Sequence, residues 1–180
     1  MKTLRIFAVL VGLTTNLFAI EDTPSNRARA ADQFLQIFSV REVLAASFKK
    51  LSQTMPQPKR DMLESIISHL DMQAISQVMR QRLIANFTAD DLYVLRDFFG
   101  TPAGKSVLEK LSSGGFMDLS AQDFKAYNDF FGTPVGKLIL QKFLKYRAEV
   151  KPGVSSEVRK AVLKALPEIV HRAGMSSVSD

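Results

Sequence analysis

Two stretches of this chain, offset by 32 residues, are versions of one another. Residues 87–111 read FTADDLYVLRDFFGTPAGKSVLEKL and residues 119–143 read LSAQDFKAYNDFFGTPVGKLILQKF. Twelve of the 25 aligned positions are identical, including the block Asp97-Phe98-Phe99-Gly100-Thr101-Pro102 and its counterpart Asp129-Phe130-Phe131-Gly132-Thr133-Pro134. Identity on that scale at one fixed offset is the mark of an internal repeat, so both copies must fold into the same supersecondary unit.

The unit can be read from left to right. Thr88 with Asp91, and Ser120 with Asp123, pair a helix cap with an acid three positions later. The helix that follows turns Leu92, Leu95, Phe98 and Phe99 inward in the first copy, and Phe124, Tyr127, Phe130 and Phe131 in the second. Gly100 and Gly132 are expected to end those helices in the left-handed conformation that glycine reaches without steric penalty. Thr101 and Thr133 then cap the next helix, with Pro102 and Pro134 at its first position, where a missing amide hydrogen costs nothing. Gly104 and Gly136 lie in the first turn of that second helix and are expected to admit a close backbone neighbour. Asp97 and Asp129 sit near a helix C-terminus, where a carboxylate is unfavourable. Each is therefore expected to bond to the amides of the following helix or to pair with Lys105 or Lys137.

Helical spacing recurs through the rest of the chain after residue 25, and no stretch shows strict apolar-polar alternation bounded by turns. A first helix is expected from near Ser25 through Phe38. Ser39 with Glu42 opens a second, carrying Val43, Leu44, Phe48 and Leu51, which Pro56 and Pro58 end. Met62, Leu63, Ile66, Ile67 and Leu70 form one apolar stripe, and Asp71 caps a successor with Met72, Ile75, Val78, Met79 and Leu83. A last helix is expected to start at Ser155 or Ser156, bury Val158, Val162 and Leu163, and kink or restart at Pro167 before Gly174. The fold class is therefore all-α, a compact bundle of roughly seven to nine helices containing a tandem helix-turn-helix repeat.

The N-terminus has the layout of a secretory signal peptide: Lys2 and Arg5, an apolar run from Ile6 to Leu13, then Ala19 ahead of acidic Glu21 and Asp22. Thr14, Thr15 and Asn16 interrupt the run, which falls short of the roughly 20 apolar residues a membrane span needs. Cleavage is expected after Ala19, giving a signal peptide at 1–19, one helical domain at 20–174 and a disordered tail at 175–180. The exported product would lie in the periplasm of a Gram-negative cell and otherwise be secreted, with no transmembrane span once the signal is removed. It would carry 22 basic and 18 acidic residues, a mild excess that favours anionic surfaces such as lipid headgroups.

An exported protein is free to form disulfides, yet this one has no cysteine. Its stability must come from packing, and thiol nucleophiles, thiolate metal sites and the lipid-bearing cysteine of a bacterial lipoprotein are excluded. Gly100-Thr-Pro-Ala-Gly-Lys-Ser106 superficially resembles a phosphate-binding P-loop, but that motif needs four residues between its glycines and here there are three. Phe99 stands where the first glycine is required, and a capped amphipathic helix precedes it where a buried strand is needed. A weaker option is an anion held at the helix N-termini by Lys105 and Lys137. His69 and His171 are the only histidines and read as helix-surface residues without a relay partner. Basic residues scattered without a dense patch, and export itself, disfavour nucleic acid. The absence of tryptophan argues against a sugar- or base-stacking face. No catalytic, metal or cofactor residue is assigned.

The stretch FTADDLYVLRDFFGTPAGK resembles the signature of an uncharacterised bacterial exported family, domain of unknown function number twenty fifty-nine. Its pattern is a capped helix, an aromatic pair and then Ser/Thr-Pro-x-Gly-x-Lys. Phe98, Phe99, Thr101, Pro102 and Gly104 match, whereas Lys105 stands one place early. The resemblance covers about residues 40 to 145, with Met62 to Met79 as the helices that precede the signature. It implies an exported helical domain with no assigned activity and adds no catalytic residue.

The leading expectation for function is a non-enzymatic interaction or scaffold module of the cell envelope, with an envelope protein or anionic lipid as partner. One alternative is a carrier in which Phe98, Phe99, Phe130 and Phe131 line a cavity for an apolar ligand. Another is a hydrolase without a recognisable motif.

Overall fold

The computed structural model describes residues 20–112 and 118–176. The expected signal peptide at 1–19 lies outside those residues, as does most of the expected tail. Among the described residues there are eight helices and no strand.

Helix α1 (Pro24–Ile37) is opened by Thr23, whose side chain accepts from the Asn26 N–H, with Pro24 at its first position. Helix α2 (Val40–Gln53) follows, and α3 (Gln57–Ser68) begins directly after Pro56. Pro58 falls in the first turn of α3 and so starts a helix rather than ending one. Asp71 caps α4 (Met72–Asn86) by accepting from the Ala74 N–H at 2.9 Å. The two matching sequence stretches supply α5 (Ala89–Gly100), α6 (Pro102–Ser112), α7 (Ala121–Phe131) and the beginning of α8 (Pro134–Ser176).

One core joins these elements. It contains Ala30, Ala31 and Phe34 of α1, Ile75, Met79 and Leu83 of α4, and Ala89, Leu92, Leu95 and Phe99 of α5. Val107, Phe131, Ile139 and Tyr146 complete it from α6, α7 and α8. Helix α1 packs on both α4 and α5, and the small side chains of Ala30 and Ala31 let those axes approach. The first half of α8 packs on α7 and runs antiparallel to α4, where Phe87 meets Tyr146 edge-on and Asn86 donates to Glu149 at 2.8 Å. The second half lies along α3.

That last helix differs from the expectation. A separate element from Ser155 with a break at Pro167 is replaced by one helix running from Pro134 to Ser176 through both Pro152 and Pro167. Both prolines are exposed, as are Ala148 and Leu163, whose carbonyls lose an N–H donor to them, so those carbonyls lie where solvent can replace the lost donor. The helix also takes in Met175 and Ser176, which were expected to be tail. Its second half stands outside the main core: Ala161 and Ala165 are buried there, but Leu163, expected inside, is largely exposed. Leu51 and Met62 were likewise expected to be core and are exposed.

Candidate functional site

The two FFGTP segments form the same corner. Asp91 accepts from the Thr88 N–H at 2.8 Å while Thr88 accepts from the Asp91 N–H at 3.2 Å, a complete capping box. Ser120 and Asp123 repeat it in front of α7. At the corner, the Thr101 hydroxyl donates to the Phe98 carbonyl at 2.7 Å and accepts from the Gly104 N–H at 3.0 Å. Thr133 does the same with Phe130 at 2.8 Å and Gly136 at 2.9 Å. One hydroxyl thus closes the outgoing helix and opens the incoming one.

The corner needs no left-handed residue, contrary to the expectation for Gly100 and Gly132. Gly100 is the last residue of α5 and Gly132 is right-handed, with φ −73° and ψ −20°. The chain turns instead at Thr101, whose extended φ −73° and ψ 155° feed Pro102 into α6. Glycine is required one turn later. A Cβ on Gly104 would meet the Phe98 carbonyl group, with its carbon at 2.7 Å, and the Phe99 Cα at 2.9 Å. A Cβ on Gly136 would lie 2.8 Å from the Phe131 Cα and 2.9 Å from the Phe130 carbonyl carbon. The close neighbour is therefore the last turn of the preceding helix, and the obstacle is backbone, which cannot rotate away.

The corners face each other. Phe98 and Phe130, equivalent positions, stack with ring centroids 4.2 Å apart and planes 7° from parallel. Phe99 and Phe131 lie against them at 5.0 Å and 4.7 Å, and Tyr127 and Phe34 extend the array. The four phenylalanines that a carrier would use as a lining pack ring against ring. The capping boxes exchange cations as well. Lys142 of the second segment donates to Asp91 of the first, and Lys110 of the first lies close enough to Asp123 to help hold its carboxyl low. The larger causes of that lowering are the hydroxyls of Ser120 and Ser106, which stabilise the carboxylate by hydrogen bonding.

The remaining motif residues lie at the rim. Asp97 and Asp129 reach neither the following helix nor a lysine beyond it. Asp97 accepts from the guanidinium of Arg96 at 2.6 and 2.8 Å, and Asp129 pairs with Lys125 one turn back on its own helix. Local cations on the same helix relieve the unfavourable dipole without spanning the corner. Lys105 and Lys137 are exposed. Phe124, expected to face inward, is exposed.

Sequence reasoning left His69 without a partner, and the fold supplies one from a hundred residues away. Glu168 on α8 accepts from the buried Ser65 hydroxyl at 2.8 Å and stands 3.6 Å from His69 Nε2. Ser68 Oγ lies 3.2 Å from His69 Nδ1, so a serine, a histidine and a carboxylate are gathered. Their geometry is that of a clasp between α3 and α8. His69 Nδ1 is 2.9 Å from the Ser65 carbonyl, which only accepts, so this nitrogen carries the proton and has no lone pair to receive one from Ser68. The Ser68 hydroxyl is itself spent on the Ser65 carbonyl at 2.8 Å. No signal in the sequence marks this pairing, because nothing local ties position 69 to position 168.

A polar groove lies between α1 and α4, lined by Asp32, Leu35, Gln36, Gln73, Gln77 and Arg80. Its charges are mutually engaged: Arg80 donates to both oxygens of Asp32, at 2.6 and 3.0 Å, and holds that carboxyl below its ordinary range. Among the described residues no three acidic or histidine side chains converge to hold a metal, and no helix is long and apolar enough to cross a membrane.

What is left over is apolar surface on α8. Val135, Leu138, Leu144, Leu163, Leu166 and Val170 are all exposed. Comparison of the chain with protein-family models, with curated proteins and with solved structures returned no match.

Proposed function

We propose that this protein is an exported, non-enzymatic interaction module of the cell envelope, in which the paired corners form a rigid platform and α8 presents the binding surface. The single observation that carries the reading is the large apolar side chains left exposed along α8. A helix of 43 residues anchored by one face into the core, with six large apolar side chains left in water, is built to be covered by something else. The polar groups of the corners are committed to caps and ion pairs that fix shape.

Membership of the exported helical family suggested by FTADDLYVLRDFFGTPAGK belongs to the same reading. So does the duplication of an ancestral helix-turn-helix unit, supported by the matching corners and their stacked phenylalanines. Export is tested by mass spectrometry of the N-terminus of protein recovered from the cell exterior or periplasm, which should begin at Ile20; recovery of Met1 from the cytoplasm overturns it.

The binding role is tested by site-specific photocrosslinking in intact cells, with the crosslinker placed at Leu138 or Leu163 and, as a control, at exposed Gln122 on α7. Discrete envelope products from the α8 positions alone support the module. Equal labelling at all three positions, or none, removes it.

A further inference from the structure

Helix α8 carries nine lysines and arginines against three glutamates, a net charge of +6, which equals the formal charge of the whole chain. The remainder of the sequence is therefore neutral, or −2 without Lys2 and Arg5 of the expected signal peptide, so the net positive charge resides in one helix. The first half holds a net +4 and the second half a net +2, from Arg159, Lys160, Lys164 and Arg172 against Glu157 and Glu168, and in the second half cations border an apolar face. Leu163, Leu166 and Val170 are spaced three and four residues apart, so they share one face, and they are 69%, 49% and 62% exposed. Ala161 and Ala165 point the other way and are buried. Arg159 extends the apolar face by one turn toward the N-terminus, and Lys160 and Lys164 run along its flank, all three exposed.

The two acidic residues of this segment are withdrawn from that face. Glu157 is largely buried and pairs with Lys160 at 2.7 Å, and Glu168 is turned to Ser65 and His69 on α3. The result is a leucine-valine stripe bordered by cations on a helix whose opposite side is docked. A helix of this kind lies in the plane of a bilayer interface, with its apolar side chains among the acyl chains and its cations at anionic headgroups.

Resting on the envelope-module reading, we infer that the second half of α8, centred on Leu163, Leu166 and Val170 with Arg159, Lys160 and Lys164, docks onto the surface of an anionic phospholipid bilayer. Charge complementarity selects this occupant. A second copy of the chain would bring the same cations face to face, and a neutral apolar partner would leave them without counter-charges.

The test is co-sedimentation of the purified protein with vesicles of phosphatidylcholine alone and of phosphatidylcholine mixed with phosphatidylglycerol. Binding to the mixed vesicles only, weakening as salt is raised, is the expected result. Leu163→Ser and Lys164→Glu, both at exposed positions, should each lower the apparent affinity on the order of tenfold, with unchanged helical circular dichroism. Lys125→Glu changes the net charge as much as Lys164→Glu but lies exposed on α7, away from the α8 surface, and should leave binding nearly intact.

Three results overturn the inference: no binding to mixed vesicles; equal losses from Lys125→Glu and Lys164→Glu, which would mean that net charge alone is read; or a dimer in sedimentation velocity that Leu163→Ser dissociates. Failure with vesicles while Leu163 still crosslinks to an envelope protein removes the lipid surface and leaves the module. Failure of both experiments removes both.

Discussion

The two corners share their hydrogen bonds, their glycine requirement and their aromatic pair, but not their surroundings. Helix α5 leads into the first corner and is covered by α1, so Ala89, Leu92, Leu95 and Phe99 are buried. Helix α7 leads into the second and packs along its length on its chain neighbours α6 and α8, meeting α5 through the phenylalanines at its C-terminal end; its buried side chains are Asp123 and Phe131. Leu92 is 0% exposed, while its counterpart Phe124 is 46% exposed. The motif therefore specifies a local turn, whereas burial of the helix before it depends on whether a third element arrives to cover it.

That contrast can be broken most forcefully at the covered face. Leu92→Ala should cost about 3 kcal/mol, the transfer loss plus an unfilled cavity, while the equivalent Phe124→Ala should cost less than about 1 kcal/mol. Urea denaturation of the two variants measures the difference, and equal losses would mean that α7 is covered after all. The corners themselves should behave alike. Gly104→Ala and Gly136→Ala each force a methyl onto the backbone of the preceding turn and should each cost about 2 kcal/mol, regardless of burial elsewhere. Unequal costs would show that the corners are not independent local units.

A smaller effect tests their contact. In a double-mutant cycle, Phe98→Leu and Phe130→Leu should couple by about 1 kcal/mol, because each removes the same stacked pair. Additive losses would remove the ring-on-ring interface. The smallest effect concerns pH. The Asp123 carboxyl is held below its ordinary value in the folded chain by Ser120 and Ser106, so its contribution is present above pH about 4 and is lost as pH falls through the lowered folded value. Thermal melts of the protein and of Asp123→Asn should converge as pH is lowered; curves that stay parallel would refute the role of the capping box.

How much could be read in advance follows the range of each interaction. The capping boxes, Thr101 and Thr133 as corner caps and Asp71 at α4 were legible because each joins residues three apart. Gly100 was misread because the glycine-threonine-proline order also suits a left-handed ending, and only the backbone angles distinguish that from an extended threonine. The Asp97 and Asp129 partners were misplaced for a related reason: Lys105 and Lys137 are near in sequence but lie across the corner, while Arg96 and Lys125 share the aspartates' own helices. Leu163 looked like core because amphipathic spacing marks an apolar face without saying whether anything packs on it.

The chain's letters alone determined that it is helical, where its capped helices begin and that it turns twice at the same five residues, because these outcomes depend on hydrogen bonds and steric limits within a few positions. Only the tertiary structure decided that the two turns stack through Phe98 and Phe130, that α8 continues through its prolines, and that Glu168 reaches Ser65 and His69. Those depend on which surfaces meet between residues 32 to 103 positions apart, and the energy of such meetings lies in shared burial, a property of the assembled pair that no segment carries by itself.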